Sequence, residues 1–374
     1  LRPNFDRDVH CLLGLPFDAL GMKEAVLHVQ EAARERRPCF LSTPNLNFVV
    51  AAQRDAAFRD SVLRSDLSVV DGMPLVWVAR LLGLPLRERV AGATLFERLR
   101  QGAGSPMRLF FFGGADGVAA RACERLNAER GMLTCVGHDA PGFGSVQDMS
   151  GEERIARIND SGADFVVVAL GAHKGQAWIE HNRARLQAPV VSHLGAVLNF
   201  VAGHVKRAPP WLQRGGLEWV WRIKEEPALW RRYGADGIAF AALLLRRVVP
   251  CALQSLLRQP SRQALDNAVV RVEADPQLAT LRMEGAWTAA NAAPLRSAFA
   301  GVAALAQPLR LDLRCVTHLD SAVIALLALL WASRRQAGQP WALGELRPEV
   351  RRQIVLACAD YLLGPGAQEQ PQPS

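Results

Sequence analysis

The stretch Arg108-Leu-Phe-Phe-Phe112-Gly113-Gly114-Ala-Asp116-Gly117 decides the fold: an apolar run stops at two glycines, and a helix-like stretch begins near Val118. Short apolar runs bounded by Gly, Pro or Asn and followed by a helical pattern read as buried strands feeding helices. The pattern recurs at Cys39 to Leu41, Leu67 to Val70, Phe165 to Leu170 and Val190 to His193, all between Val9 and about Val205. This alternation predicts an α/β fold with a largely parallel sheet. Ligands of such sheets sit beyond the carboxyl ends of the strands, which directs attention to Thr43, Asn45, Asp71, Gly113, Gly114 and Gly171.

The chain has 374 residues, half of them hydrophobic and 21% charged, enough for two or three globular domains and incompatible with wholesale disorder, a collagen or a coiled-coil rod. Seven cysteines form no CxxC pair and no short-range cluster, which argues against a zinc module and a secreted disulfide scaffold. A reducing compartment is expected, and no signal-peptide pattern opens the residues shown. The net charge is +8, and forty of the forty-four basic residues are arginine, a bias that a GC-rich genome also produces. From His204 to Arg262, eleven Lys or Arg stand against four Asp or Glu, a net +7. The excess is thus one segment, suited to phosphates of lipid head groups, a diphosphate substrate or nucleic acid.

That segment, residues 206–262, carries Trp211, Trp219, Trp221 and Trp230 and then the apolar stretch Gly237 to Leu257. The stretch is long enough to span a bilayer, but Arg246 and Arg247 near its middle would each cost roughly 2.5–3.5 kcal/mol. The expectation is an amphipathic helix pair lying on a membrane surface; the plain alternative is a helix buried against the first domain. Residues 266–363 read as a separate domain, with strands at Ala268 to Ala274, Leu278 to Met283, Leu309 to Leu313 and Ala342 to Gly344. Its helices are expected at Ala289 to Ala300, Ser321 to Gln336 and Pro348 to Ala357. The Gln- and Pro-rich tail 364–374 is expected to be disordered.

Thr43-Pro-Asn45-Leu-Asn47 and Asp66-Leu-Ser-Val-Val-Asp71-Gly72-Met-Pro74 set hydroxyl, amide and carboxylate on neighbouring loops. A carboxylate there can take a proton from a sugar hydroxyl that the amides orient; Asp-Gly is equally the sequence of a plain turn. The Gly113-Gly114 turn exposes N–H groups that can cradle a phosphate, or is a tight turn with no ligand. Gly171-Ala-His173-Lys174 is a second such edge, where His173 or Lys174 faces a donor phosphate or stays a solvated loop residue. Asp6-Arg-Asp8 follows no strand, so its metal-type spacing is attributed to chance. The histidines show no paired metal spacing, and Ser150 to Glu153 reads as a capping box. No structural metal and no cofactor are expected.

Several further blocks stand in order with these: Arg89-Val-Ala-Gly92, Asn159…Ala163-Asp164, Ala202-Gly203-His-Val-Lys206-Arg207-Ala208-Pro209, and Gly216-Leu-Glu218-Trp219…Arg222…Glu226-Pro227. Together they resemble the WecG/TagA/CpsF family of bacterial glycosyltransferases over roughly residues 9–233. The resemblance implies a Rossmann-like transferase domain at 9–205, inverting and metal-independent, that moves a sugar from a UDP donor to an undecaprenyl-diphosphate-linked acceptor. It implies a peripheral location on the inner face of the cytoplasmic membrane, in exopolysaccharide or cell-surface polysaccharide synthesis. By similarity Asp71 is the general base, with Thr43 and Asn45 beside it and Asn47 and Arg89 near the reacting sugars. Arg207, Arg214, Arg222, Arg231 and Arg232 hold diphosphate and membrane. One departure stands out: the family usually has Pro-Lys-Gln-Glu after the Leu-Gly edge, whereas this chain has His173-Lys174-Gly175-Gln176. The active-site glutamine is therefore missing or shifted to Gln176, which bears on the choice of a hexose or N-acetylhexosamine donor.

Residues 266–360 resemble a STAS domain through Leu311-Asp312-Leu313…Val316-Thr-His-Leu319-Asp320-Ser321. Phosphorylatable members carry phosphate on that serine, making Ser321 the candidate; the alternative is an ordinary first helical residue of a protein-docking module. The competing reading of the whole chain is a catalytically degenerate scaffold that senses lipid-linked sugar and signals through a STAS partner. Nucleic-acid binding is disfavoured, because the tryptophans interleave with long apolar runs. A homo-oligomer is left open.

Overall fold

A computed structural model describes residues 3–364 except 103, 206, 207, 210, 213–215, 226, 228, 258 and 340. Lys206, Arg207, Arg214 and the tail after Gly364 therefore lie outside the described residues. An antiparallel hairpin of β1 (Val9–Leu12) and β2 (Leu15–Asp18) opens the fold. Six parallel strands follow: β3 (Cys39–Ser42), β4 (Leu67–Ser68), β5 (Met107–Gly113), β6 (Leu133–Asp139), β7 (Phe165–Ala169) and β8 (Val190–His193). Their spatial order is β4-β3-β8-β7-β5-β6. Strands buried on both faces read as continuous apolar runs, which is why Phe165-Val-Val-Val carries no alternation. The run at Leu67 ends as a strand at Ser68; Val69 and Val70 leave the ladder, although Val70 still accepts a hydrogen bond from the Val90 N–H at 2.8 Å.

One face of the sheet packs on helices Met22–Arg34, Gly92–Gln101, Val118–Ala128 and Gly195–Ala202, and the other on Glu152–Asp160 and Ala172–Asn182. Ser150 does not cap the helix after it: its hydroxyl donates to the Val146 carbonyl, and the capping position is Gly151. Cys123 and Cys135, which no local spacing pairs, come together with Cα atoms 5.2 Å apart and their sulfurs joined.

The C-terminal domain has the mixed sheet β12-β11-β10-β9, from β9 (Val269–Ala274), β10 (Ala279–Trp287), β11 (Leu309–Leu319) and β12 (Trp341–Leu343). Its helix Ser321–Gln336 is buried without interruption from Ala322 to Ala332. A helix apolar all round must be covered all round: its own sheet takes one side and the β1–β2 hairpin another, so the two domains share one core. Arg334, wholly buried at the end of this helix, donates to the carbonyls of Val302, Leu305 and Gln307.

The basic segment holds helix Glu218–Glu225 and then one continuous helix, Leu229–Leu257, 29 residues, with a π-helical turn at Leu244–Val248. By length and composition it could cross a membrane, and only 6% of its most apolar stretch is buried. Two polar ties hold it across the domains. Asn47 Nδ2 donates to buried Asp236 at 3.1 Å, and Arg247 donates to the Val355 carbonyl at 2.7 Å and pairs with Asp360 at 3.2 Å. Arg247 therefore does not face lipid, whereas Arg246 is exposed.

Candidate active site

All carboxyl ends of the parallel strands lie on one edge, and the loops leaving β3 and β4 bring Thr43 and Asp71 together there. Gly92 joins them: its N–H donates to Asp71 Oδ2 at 3.2 Å, and a Cβ on it would stand 3.0 Å from Thr43 Oγ1 and 2.6 Å from the Leu194 side chain. Glycine is needed at 92 because the chain passes between those two side chains. Arg89 Nε lies 3.6 Å from Asp71 Oδ1, and Arg89 Nη2 reaches Glu218 Oε2 at 2.5 Å. Burial pushes the Asp71 carboxyl above its ordinary value; Arg89 and the Gly92 N–H draw it back. A carboxylate raised by desolvation and moderated by one cation is a stronger proton acceptor than a solvated one.

Asn45 caps helix Leu46–Arg54, its Oδ1 accepting from the Phe48 N–H at 3.2 Å, so that oxygen is committed to the helix. Asn47, the second residue of that helix, is committed to Asp236 on the long helix. Five other helices start at this edge: Met73–Leu81, Gly92–Gln101, Val118–Ala128, Ala172–Asn182 and Gly195–Ala202. In none does the residue before the helix cap it with its side chain, although Asp71 takes the first N–H of helix Gly92–Gln101. The helix dipoles make the edge attractive to anions.

Gly113 and Gly114 have φ of 108° and 84° and touch neighbours directly: a Cβ would stand 2.6 Å from the Ala169 carbonyl at the first and 2.4 Å from Leu198 at the second. Close packing explains both. Just beyond them a groove of about 240 Å³ opens between Asp116-Gly117 and the end of β6, lined by His138, Asp139 and Arg157. Asp139, itself buried, is held by Arg154 at 2.6 Å and Arg157 at 3.6 Å. The loop after β6 carries Phe143, fully exposed, and Lys174 Nζ holds that loop by donating to the Gly144 carbonyl at 2.9 Å.

Gly171 caps helix Ala172–Asn182 with nothing within 4 Å of a would-be Cβ. His173 is half exposed, stacked on Phe58 at 4.4 Å and 3.4 Å from Asp55. Gln176 is 1% exposed, donates at 2.9 Å to the Oγ of Ser42, the last residue of β3, and accepts from Ser61. Arg231 and Arg232 are exposed and lie over the rings of Trp230 and Tyr233, away from Asp71's ion pair; Arg222 is partly buried.

Two comparisons bear on this edge. The profile of the WecG/TagA/CpsF glycosyl transferase family matches residues 10–252, and that of the Mlab STAS domain matches residues 270–364. An N-acetylglucosaminyldiphosphoundecaprenol N-acetyl-beta-D-mannosaminyltransferase of Bacillus spizizenii (strain W23) is 32% identical over 199 residues, 53% of this chain and 76% of that protein. The enzyme of the same name from Bacillus subtilis (strain 168) is 31% identical over 194 residues, 51% of this chain and 73% of that protein. The chain belongs to the WecG/TagA/CpsF glycosyltransferase family. It carries a STAS domain behind the transferase domain.

Sequence reasoning missed three residues of this transferase edge. Glu218, quoted above only as part of the Gly216-Leu-Glu218-Trp219 block, pairs with Arg89 and ties the segment to the edge. Asp236 is the one acid after Glu226 in that segment. His193 ends β8 at the carboxyl edge, a position that strand-end logic already marks.

Proposed function

We propose that this glycosyltransferase moves a hexose or N-acetylhexosamine from a UDP-sugar to an undecaprenyl-diphosphate-linked acceptor, with inversion and without a metal. The observation that carries the reading is Asp71 held between Arg89 and the Gly92 N–H, beside Thr43, at an edge where five helices begin. Asp71 accepts the proton of the acceptor hydroxyl; the hydroxyl oxygen bonds the anomeric carbon; the bond from that carbon to the phosphate oxygen breaks and its electron pair leaves with UDP. Helix N-termini and arginines stabilise the departing diphosphate. The names of the Bacillus relatives, both acting on a diphosphoundecaprenol sugar, support the acceptor class. The groove at Asp116 and His138, with exposed Phe143 at its loop, suits the nucleoside.

Membrane attachment to the cytoplasmic face fits the exposed Trp219, Trp230, Ile238, Leu245 and Leu256 of the basic segment and Trp77 and Leu81 on helix Met73–Leu81. The segment touches the helix that follows Asp71, since a Cβ on Gly216 would stand 2.8 Å from Met73. The STAS domain then regulates or docks the enzyme, with Ser321 as its modifiable residue. The test is a panel of UDP-hexoses, with and without N-acetyl groups, offered with lipid-diphosphate acceptors in detergent and EDTA. Transfer by the native chain and loss in Asp71→Asn is the expected result. Silence toward every donor and acceptor would refute the enzyme and favour the scaffold.

A further inference from the structure

The residue that ends β8 and the glycine one turn into helix Ala172–Asn182 are interlocked. A Cβ on Gly175 would stand 2.3 Å from His193 Cδ2 and 2.9 Å from its Cγ, so no other residue fits at 175 while the imidazole is there. On its other edge the ring meets Gly195, whose would-be Cβ lies 3.1 Å from His193 Nε2. The ring thus occupies the place where a side chain at 175 would stand, between the first turns of two uncapped helices at the donor edge. Leu194, the next residue, touches Gly92, the residue that bonds Asp71. Nε2 finds no partner among the described residues, although its surroundings shield it from water. Burial lowers the imidazole to about 4, so it is neutral at working pH and does not compete with arginine for phosphate. Gln176 is buried against Ser42 at the end of β3.

We infer that His193, seated on Gly175, is the donor-selecting residue: its ring fills the space beside Gly175 and narrows the sugar subsite, favouring an unmodified UDP-hexose over a UDP-N-acetylhexosamine. The inference rests on the transferase reading above. A neutral imidazole fixed between two glycines is rigid, so it does not swing aside for the extra acetyl group.

The experiment compares the native chain, His193→Ala, and the exchange His193→Gly with Gly175→Gln, using UDP-hexoses and UDP-N-acetylhexosamines as donors. The native chain is expected to prefer the unmodified hexose, and both variants to shift the kcat/KM ratio toward the N-acetylated donor by about tenfold or more. A second readout needs no turnover: Gly175→Ala is expected to lower Tm in the native background and to leave it unchanged in the His193→Gly background. Native preference for the N-acetylated donor, or a ratio within twofold of native in an active His193→Ala enzyme, overturns the inference while the transferase reading stands. A native chain silent toward every donor overturns both.

Discussion

Replacing Asp71 by Asn separates a functional carboxylate from a structural one, because the two roles predict opposite changes in stability. Asparagine keeps an oxygen for the Gly92 N–H, now at 3.2 Å, and Arg89 keeps Glu218 at 2.5 Å, so neither neighbour is stranded. The change removes the buried negative charge. Because the folded protein holds the Asp71 proton more tightly than the unfolded chain does, stability falls as pH rises from the ordinary carboxylate value, 3.8, through the raised value, and is level above it. Above the raised value the native chain bears that penalty in full, at about 1.4 kcal/mol for each unit of elevation. Asp71→Asn removes the penalty and gives up only the attraction of Arg89 at 3.6 Å, so it is expected to melt at or above the native temperature by up to about 4 °C. Transfer should fall about 10²–10⁴-fold, the usual contribution of a general base. The native rate should fall as pH drops through the raised Asp71 value, since the protonated carboxyl accepts nothing. Calorimetry at pH 5 and pH 8 and initial rates of transfer read both effects. A variant that melts several degrees lower and transfers within tenfold of native would show that Asp71 is a turn residue.

Two further outcomes follow from the ties between domains. Asp236→Ala removes the partner of Asn47 and frees the long helix from the edge; KM for the lipid-linked acceptor should rise at least about fivefold with the UDP-sugar KM within twofold, because the loss falls on acceptor positioning. Ser321→Asp, a mimic of the phosphorylated residue, places a carboxylate against His10, whose Nδ1 lies 2.9 Å from the Ser321 hydroxyl. Burial lowers His10 in the native chain; Asp8 and Asp320 act against that, and Arg296 adds to it. A new carboxylate would raise His10, and the pairing it gains is present below the unfolded histidine value and lost as pH rises. The Tm deficit of Ser321→Asp should therefore be smaller at pH 5.5 than at pH 8, and an equal deficit at both would disprove the coupling.

Local pattern was enough for much of the architecture. Phe165 to Leu170 and Arg108 to Phe112 are strands because a run of large apolar residues between breakers has nowhere to go but a sheet interior. Ser321 to Gln336 is a helix because sixteen residues run without Gly or Pro behind an Asp that caps them, its Oδ1 accepting from the Val323 N–H at 3.0 Å. The same reasoning placed Thr43 and Asp71 at one edge, since the residues that leave parallel strands share an edge whatever their distance in the chain. It missed β1, β2 and β6, which are short or interrupted by polar residues and owe their existence to what they pair with or cover.

What the sequence by itself determined is thus the set of elements, the edge they share and the family the motifs belong to, because each depends on neighbours within a few residues. The tertiary structure alone decided which side chains meet. Glu218 returns to Arg89 across 129 positions, Asp236 to Asn47 across 189, and Ser321 to His10 across 311. It sent Gln176 into the core and seated His193 over Gly175, a pairing invisible in either residue alone. The physical reason is that periodicity reports which face of an element is buried, whereas the partner on that face is set by chain reversals and packing that no local window contains.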